Sequence, residues 1–447
     1  MRALAVVDGE HYAPVVRDAL AALPYQFVAA WSAGGTEKLR GDEDYGVPLA
    51  VEFEQALATY EPDIVVDLSD EPVLGPRERF RVASRALARG IAYAGPDFRF
   101  DPPPLAPCER PSLAVVGTGK RVGKTALTGH AARLLSARWK LVVVAMGRGG
   151  PAEPELIRRP PAVERLLALS RAGRHAASDH LEHAALGGVI TVGCRRAGGG
   201  LAGTPALSNV LAGVELALAQ DPDLLLIEGS GASLPPIATT RRLLVVSAEQ
   251  GPELVAGYLN AYRVLVSDLV VVTMAEDAAA LADARRAIAE VRTDVPVVAT
   301  VLRPRPVEQI AGRRVAFFTT APPAVHGLLA AHLREVHGAQ VVHVSGNLAR
   351  REDLRSELAR LPEAELYLTE IKAAAIDVVA EAGASRGIPV VPADNEVLPL
   401  AGEGALDAEL EALAEAALAS ESPRTTPVVG APSSAPRRPL AAGTGSA

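Results

Sequence analysis

The chain has 447 residues, of which 49% are hydrophobic and 4% aromatic, and its formal net charge is −8. This length predicts roughly two to four domains, and the negative charge argues against nucleic-acid binding across the whole surface. The two cysteines, Cys108 and Cys194, offer neither a disulfide framework nor a zinc spacing, so a reducing cytoplasm is expected. The N-terminus lacks a signal-peptide pattern and no apolar run approaches the ~20 residues of a membrane span, so no membrane contact is expected.

Residues 1–107 form the first predicted unit. Apolar runs alternate there with helical patterns in "ALAVV", "DIVVDLSD" and "GIAYAG". This alternation predicts a Rossmann-like α/β domain with a parallel sheet. "DGEHY" follows the first strand, at the edge where such sheets bind ligands, so Glu10 and His11 are candidate substrate contacts. A capped helix start and a domain-interface loop are the alternatives.

Residues 108–304 form a second predicted unit, whose strand candidates are "SLAVVG", "KLVVVAM", "GVITVG", "DLLLIEG", "RLLVVS", "DLVVVTM" and "VPVVATV". These continuous apolar runs are typical of parallel strands covered by helices on both faces. A smaller C-terminal α/β unit is predicted at 305–420. The segment 421–447 is rich in Pro, Ser, Gly and Ala, which predicts a disordered tail.

"GTGKRVGKT", residues 117–125, lies between a predicted strand and a predicted helix. Gly123, Lys124 and Thr125 match the second half of the phosphate-loop pattern G-x-x-x-x-G-K-[ST], whereas Thr118 replaces its first glycine. Lys124 is expected to bridge the β- and γ-phosphates, and the Thr125 hydroxyl to bind Mg²⁺. The predicted nucleotide-binding residues are Thr118, Gly119, Lys120, Arg121, Val122, Gly123, Lys124, Thr125 and Ala126.

Two residues join Lys124 as candidate catalytic groups. Lys120 precedes it by four residues and either reaches the transferred phosphate or points to solvent. Glu228 ends the apolar run of "DPDLLLIEGSGAS", at the carboxyl end of a predicted parallel strand. Glu228 is therefore the candidate Mg²⁺ partner of Thr125, and a solvent-exposed glutamate is the alternative.

Three arginines are candidate ligands for a small anionic substrate. Arg148 lies between glycines in "GRGGP", and Arg195 and Arg196 precede the glycines of "GCRRAGGGLAG". Arginine binds phosphate in a bidentate manner, and neighbouring glycines let the backbone approach the ligand. All three are expected in loops that follow strands, and solvated loop arginines are the alternative.

Other polar groups have open roles. His180 and His183 share a helical face in "SDHLEH", but without a third ligand of suitable spacing a metal site is less favoured than a helix start capped by Ser178 or Asp179. Substrate contact is a further alternative. The strand-end residues Glu370 and Lys372 either help to form the site or pair with each other. Cys194 is interpreted as structural.

Several segments carry a resemblance to known families. "GTGKRVGKT" resembles the G-T-x-x-x-V-G-K-T loop of dethiobiotin synthetase, and "IEGSGAS" is similar to its E-G-A-G-G segment. Over roughly residues 1–400 the chain more closely resembles the cyclic 2,3-diphosphoglycerate synthetase family. The segments that carry this resemblance are "VVDGEHY", "GTGKRVGKTA", "AMGRGGPAEPELI", "ASDHLEHAALGGVITVGCRRAGGGLAG", "IEGSGASLPP" and "TEIKAAAIDVVAEA".

The resemblance implies an α/β chain with a central P-loop NTPase domain and parallel sheet, flanked by smaller N- and C-terminal α/β units. It also implies closure of 2,3-diphosphoglycerate into a cyclic diphosphate, driven by ATP and Mg²⁺, with release of ADP and phosphate. One alternative is another P-loop kinase or ligase that activates a carboxylate or phosphate metabolite. The other is a nucleotide-switched partner-binding protein, which would tolerate loss of the three arginines. A homodimer is compatible with the sequence.

Overall fold

The structure is a computed structural model that describes residues 1–41 and 43–420. The disordered tail predicted at 421–447 lies outside the described residues. Within the described part of the chain, no helix combines the length and the apolar character needed to cross a membrane.

The N-terminal unit is built on a six-stranded sheet. Its strands are β1 (Arg2–Val7), β2 (Gln26–Ser32), β3 (Leu49–Ala50), β4 (Ile64–Asp67), β5 (Ala92–Ala94) and β6 (Arg99–Phe100), and its helices are α1 (Ala13–Ala22), α2 (Phe53–Tyr60) and α3 (Pro76–Ala88). The strand order is β3-β2-β1-β4-β5-β6, and only the β5–β6 pairing is antiparallel. The predicted parallel α/β architecture is confirmed.

The central unit places the phosphate loop between a buried strand and a helix. Its strands are β7 (Ser112–Gly117), β8 (Leu141–Gly147), β9 (Glu155–Ile157), β10 (Ile190–Ala197), β11 (Leu207–Ser208), β12 (Leu224–Glu228), β13 (Arg241–Ser247), β14 (Leu269–Thr273) and β15 (Val297–Pro306). Its helices are α4 (Lys124–Ser136), α5 (Val163–Arg171), α6 (Asp179–Gly187), α7 (Val210–Leu218), α8 (Pro252–Ala256), α9 (Asn260–Leu265) and α10 (Ala278–Ala289).

The central strands follow the order β11-β10-β8-β12-β7-β13-β14-β15, and the pairings from β10 to β15 are parallel. β7, β8 and β12 are buried along their whole length. This explains their continuous apolar sequences, since helices cover both faces of the sheet. The loops after β7, β8, β10 and β12 consequently meet at one edge.

The C-terminal unit continues the same sheet. Its strands are β16 (Arg314–Phe318), β17 (Gln340–Ser345), β18 (Leu366–Glu370) and β19 (Val390–Pro399), and its α-helices are α11 (His326–Glu335), α12 (Arg351–Leu358), α13 (Glu381–Arg386) and α14 (Leu406–Leu418). β19 pairs antiparallel with β15 over seven residue pairs, from Thr300↔Pro399 to Pro306↔Ala393. α14 then returns to the central core, where Leu410 packs in one cluster with Leu113 and Leu127.

The N-terminal and central units share a hydrophobic core. Leu4 and Val6 of β1 belong to the same buried cluster as Val116 and Leu244 of the central sheet. α3 packs against α9, and the Phe80 and Tyr258 rings meet edge to face with centroids 5.6 Å apart. These apolar contacts fix the N-terminal unit against the central one.

Candidate active site

The phosphate loop is held in shape by its lysine and by a contact with the neighbouring strand. Lys124 is buried and donates a hydrogen bond to the Gly119 carbonyl at 3.2 Å. Burial lowers the pKa of Lys124, while the negative charge of Glu228 opposes this shift. Thr118 donates a 2.6 Å hydrogen bond to Gln250 Oε1, just beyond β13. The residue that replaces the first motif glycine therefore anchors the loop.

The predicted partners Thr125 and Glu228 are in contact. The Thr125 hydroxyl donates to Glu228 Oε1 at 3.2 Å, and His183 Nε2 lies 2.5 Å from Glu228 Oε2. Although burial alone would raise the pKa of Glu228, the charge and hydrogen bond of His183 keep that pKa below its ordinary value. An ionised carboxylate and a hydroxyl are hard oxygen donors of the kind that Mg²⁺ prefers, so this pair fits the metal.

The two histidines of α6 have different surroundings. His183 faces Glu228, whereas His180 Nδ1 lies 3.0 Å from Ser178 Oγ and its ring packs so closely on Gly193 that a Cβ there would lie 2.5 Å away. No group of three potential metal ligands of the His, Cys, Asp or Glu type occurs among the described residues. Because His183 follows Asp179 by one helical turn, the i, i+4 spacing was the available signal that both lie on the helical face near Glu228.

The arginines of β10 differ from the expectation. Arg195 and Arg196 were predicted in a loop, but the strand runs on to Ala197 and includes them. The loop assignment was wrong because hydrogen-bonded strand geometry persists into the glycine-rich sequence, where β11 pairs with Arg196 and Ala197. Consecutive strand residues point to opposite faces. Arg196 is accordingly buried, whereas Arg195 is exposed.

Arg148 and Arg196 converge on the turn after β12. Arg196 donates to the Ser230 carbonyl at 2.7 Å and to the Gly198 carbonyl. A Cβ at Gly231 would lie 2.3 Å from Arg148 Nη2 and 3.2 Å from Arg196 Nη2, and its φ of +61° also favours glycine. Burial, and then the charge of Arg148, lower the pKa of Arg196. The negative charge of Asp179 opposes this shift in pKa, but neither arginine forms an ion pair with a carboxylate among the described residues. Two neighbouring guanidinium groups of this kind favour binding of an anion.

The candidates of the N-terminal unit lie in a self-contained network. Asp8 accepts hydrogen bonds from the backbone N–H groups of Glu10, His11 and Asp70, and His11 Nδ1 lies 2.7 Å from the Asp8 carboxylate. Glu10 accepts from the N–H groups of Thr36 and Glu37 at 3.2 and 3.4 Å.

The structure also shows the surroundings of the lysines and of Glu370, whose roles the sequence left open. Lys120 and Arg121 are exposed at the tip of the phosphate loop. Lys372 does not pair with Glu370; its ammonium lies 3.6 Å from Glu182, the neighbour of His183 in sequence, while Glu370 accepts from Thr320 and Asn395.

Cys194 packs against α7, as expected for a structural residue. A Cβ at Gly213 would lie 2.1 Å from the Cys194 Sγ atom, and burial raises the pKa of this thiol to about 12. The close approach leaves room only for glycine at that point of the helix.

A buried parallel strand, a glycine-containing turn, a buried lysine and a carboxylate on the adjacent strand together define a P-loop nucleotide-binding protein. Sequence models of the cyclic 2,3-diphosphoglycerate synthetase N-terminal, P-loop and C-terminal domains match residues 2–101, 112–302 and 306–396. The chain belongs to the cyclic 2,3-diphosphoglycerate synthetase family.

Relatives that carry the name cyclic 2,3-diphosphoglycerate synthetase include proteins from Rubrobacter xylanophilus, Thermococcus gammatolerans and Methanothermus fervidus. The protein from Rubrobacter xylanophilus is 51% identical over 436 residues, which cover 93% of this chain and 98% of the relative. The Thermococcus gammatolerans protein is 43% identical and the alignment covers 91% and 96% of the two chains. The Methanothermus fervidus protein is 40% identical, with 88% and 92% covered.

Proposed function

We propose that this chain uses ATP to close 2,3-diphosphoglycerate into cyclic 2,3-diphosphoglycerate, with release of ADP and inorganic phosphate. The observation that carries the proposal is the convergence of Arg148 and Arg196 on Gly231, three residues beyond Glu228. A dianionic phosphate placed between these arginines would lie at the same sheet edge as the phosphate loop. Membership of the family supports the identity of the substrate.

The reaction needs two phosphoryl transfers. In the first, the bond between the β-phosphate oxygen and the γ-phosphorus of ATP breaks, and the γ-phosphorus bonds to an oxygen of one substrate phosphate. In the second, an oxygen of the other substrate phosphate attacks the activated substrate phosphorus. The ring P–O–P bond forms and inorganic phosphate leaves. The attacking oxygen is already ionised at neutral pH, so the step requires no general base.

Some residues of the site would bind ATP and substrate, and others would stabilise the negative charge of the phosphates. Lys124 and the loop N–H groups hold the β- and γ-phosphates, and Lys120 contacts the transferred phosphoryl group from the loop tip. Thr125 and Glu228 would hold Mg²⁺, which offsets phosphate charge when bound. Arg148 and Arg196 orient the substrate so that its second phosphate approaches the activated phosphorus.

The cytoplasm is the compartment we propose for this chemistry. Cys108 and Cys194 are both free thiols and both are buried. A reducing compartment keeps such thiols in this state.

The test is incubation of the protein with Mg-ATP and 2,3-diphosphoglycerate, followed by ³¹P NMR. We expect the two monoester signals to be replaced by those of a cyclic diphosphate, with one ADP and one phosphate formed per ring. Matched incubations with 2-phosphoglycerate and 3-phosphoglycerate, which carry one phosphate each, should give no ring. ATP hydrolysis without a cyclic product would overturn the proposed substrate and favour another P-loop ligase.

A further inference from the structure

Helix α9 carries a buried arginine whose hydrogen bonds go to carbonyl oxygens. Arg263 is 2% exposed. Its Nη1 donates to the carbonyls of Leu201 and Leu259 at 3.2 and 2.9 Å, and its Nε donates to the Ala232 carbonyl at 3.0 Å. Nη2 donates to the same Ala232 carbonyl. Such a planar fork can join segments that a single ammonium group cannot span.

The two distant carbonyls belong to the loops of the proposed substrate site. Leu201 lies in the glycine-rich segment after Arg196, and Ala232 directly follows Gly231. Arg263 therefore connects the loop after β10 with the turn after β12.

Asn260 extends this connection to the phosphate loop. Its Oδ1 accepts from Arg263 Nη1 at 3.1 Å, and its Nδ2 donates to the Thr118 carbonyl at 3.4 Å. One short helix thus holds the phosphate loop through Asn260 and both substrate loops through Arg263. The same helix packs against α3, so its own position is fixed by the N-terminal unit.

We propose that Arg263, together with Asn260, is a positioning element that sets the distance between the phosphate loop and the two loops that hold the substrate. The pair touches neither ATP nor substrate and acts through Thr118, Leu201 and Ala232. This inference rests on the proposed function, because it assigns the substrate to those loops. It predicts that the pair controls how efficiently phosphoryl transfer leads to ring closure.

Arg263→Lys is the sharpest test, because lysine keeps the charge but cannot bridge both loops. We expect ATP affinity, measured by calorimetry, to stay within about 3-fold, since Lys124 and the loop backbone are unchanged. The KM for diphosphoglycerate should rise at least ~10-fold, because misplacement of a bound substrate by a fraction of an ångström removes its alignment. Phosphate release per ring formed, measured by ³¹P NMR, should rise above one.

Arg292→Lys is the matched control. Arg292 donates to the carbonyls of Leu265 and Ser267 at the other end of α9, and also pairs with Asp294. This variant should lower the melting temperature to a similar degree without changing KM or the phosphate-to-ring ratio. An equal kinetic change in both variants, or an unchanged Arg263→Lys enzyme, would reduce Arg263 to a structural role and overturn the inference.

Hydrogen exchange separates failure of the inference from failure of the proposed function. In Arg263→Lys, amide exchange should accelerate in segments 198–203 and 229–234, whereas in Arg292→Lys it should not. If exchange changes in this way but the wild-type protein forms no ring, the proposed substrate is wrong. The role of Arg263 in connecting the two loops is then still supported. If exchange is unchanged, the connection fails. Asn260→Ala replaces Arg263→Lys if that variant does not fold; it removes the hydrogen bonds of Asn260 to the Thr118 and Leu254 carbonyls and the one that it accepts from Arg263 Nη1.

Discussion

The carboxyl edges of the N-terminal and central sheets differ in how their polar groups are satisfied. After β1, the Asp8 and Glu10 carboxylates accept hydrogen bonds from backbone N–H groups and from His11. At the edge of the central sheet, Arg148 directly after β8 and Arg196 within β10 approach Gly231, and Arg148 makes no hydrogen bond among the described residues. The carboxylates of the first edge are hydrogen-bonded to nearby groups of the N-terminal unit, whereas Arg148 and Arg196 at the second edge have no carboxylate ion-pair partner among the described residues.

This difference shows that the position of a polar residue at a sheet edge does not identify a ligand site. Both edges satisfy the rule that open α/β sheets bind ligands beyond the carboxyl ends of their strands. Two cations that repel each other in a partly buried site destabilise the folded protein unless an anion binds between them. Uncompensated charge is therefore the stronger indication of a ligand site, and substitutions at both edges test this conclusion.

The largest effect is expected for Lys124→Ala. The variant removes the buried cation that we propose to hold the β- and γ-phosphates, so ATP turnover should fall by at least ~10³-fold. Turnover is measured as ADP release in a coupled assay. Lys140→Ala, an exposed lysine just before β8, is the control and should leave turnover unchanged. Wild-type turnover in the Lys124 variant would remove the phosphate loop from the reaction.

The second-largest effect is expected for Arg148 and Arg196. Changing both Arg148 and Arg196 to Ala should lower kcat/KM for ring closure by ~10²- to 10⁴-fold, because two charge-assisted contacts of ~1.5–3 kcal/mol each are lost. ATP affinity, measured by calorimetry, should remain. Arg195→Ala is the internal comparison, since its side chain is exposed on the other face of β10, and a much smaller loss is expected. An equal loss of kcat/KM in Arg195→Ala would show that the exposed side chain of Arg195 also contributes to substrate binding.

Glu228→Gln keeps the size of the side chain but removes its charge. We expect turnover to fall at least ~10²-fold with ATP binding partly retained, and the Mg²⁺ concentration for half-maximal turnover to rise. Titration of turnover with Mg²⁺ measures both changes. Normal turnover at an unchanged Mg²⁺ requirement would exclude Glu228 as the metal partner.

The smallest effect is expected at the compensated edge. Glu10→Gln weakens two hydrogen bonds to backbone N–H groups, which lowers the free energy of unfolding by about 1 kcal/mol. KM for diphosphoglycerate should stay within about 3-fold of the wild-type value, and His11→Gln should behave alike. A tenfold rise in KM for either variant would indicate that substrate binds at the N-terminal sheet. The proposed difference between the two edges would then be wrong.

Much of the fold was predictable because its strands are apolar along their whole length. "SLAVVG" and "KLVVVAM" correspond closely to β7 and β8. β2 was not predicted, although its sequence, QFVAAWS, contains a five-residue apolar run; only two of its seven residues are buried. The end of β10 was misplaced because glycines after Arg196 suggested a loop, whereas pairing with β11 extends the strand.

Contacts within the site were less accessible from the sequence. The phosphate loop and Glu228 follow local patterns, so both could be proposed from short segments. The contact between His183 and Glu228 joins residues 45 positions apart and depends on how α6 packs against α4. The separation of Arg195 from Arg196 depends on strand geometry that a loop prediction does not contain. Contacts between distant segments require the packed structure.

The C-terminal unit is inserted into the central unit and is not simply attached to its end. β19 pairs with β15, and α14 then returns to the central core. A gene fragment ending near residue 304 would lack α14 and would expose the edge of β15, along which seven residue pairs form in the whole chain. An unpaired edge of this kind promotes aggregation. The C-terminal unit therefore cannot be exchanged as a terminal domain, and a recombination event that preserves the central fold must replace the segment between β15 and α14 as one piece.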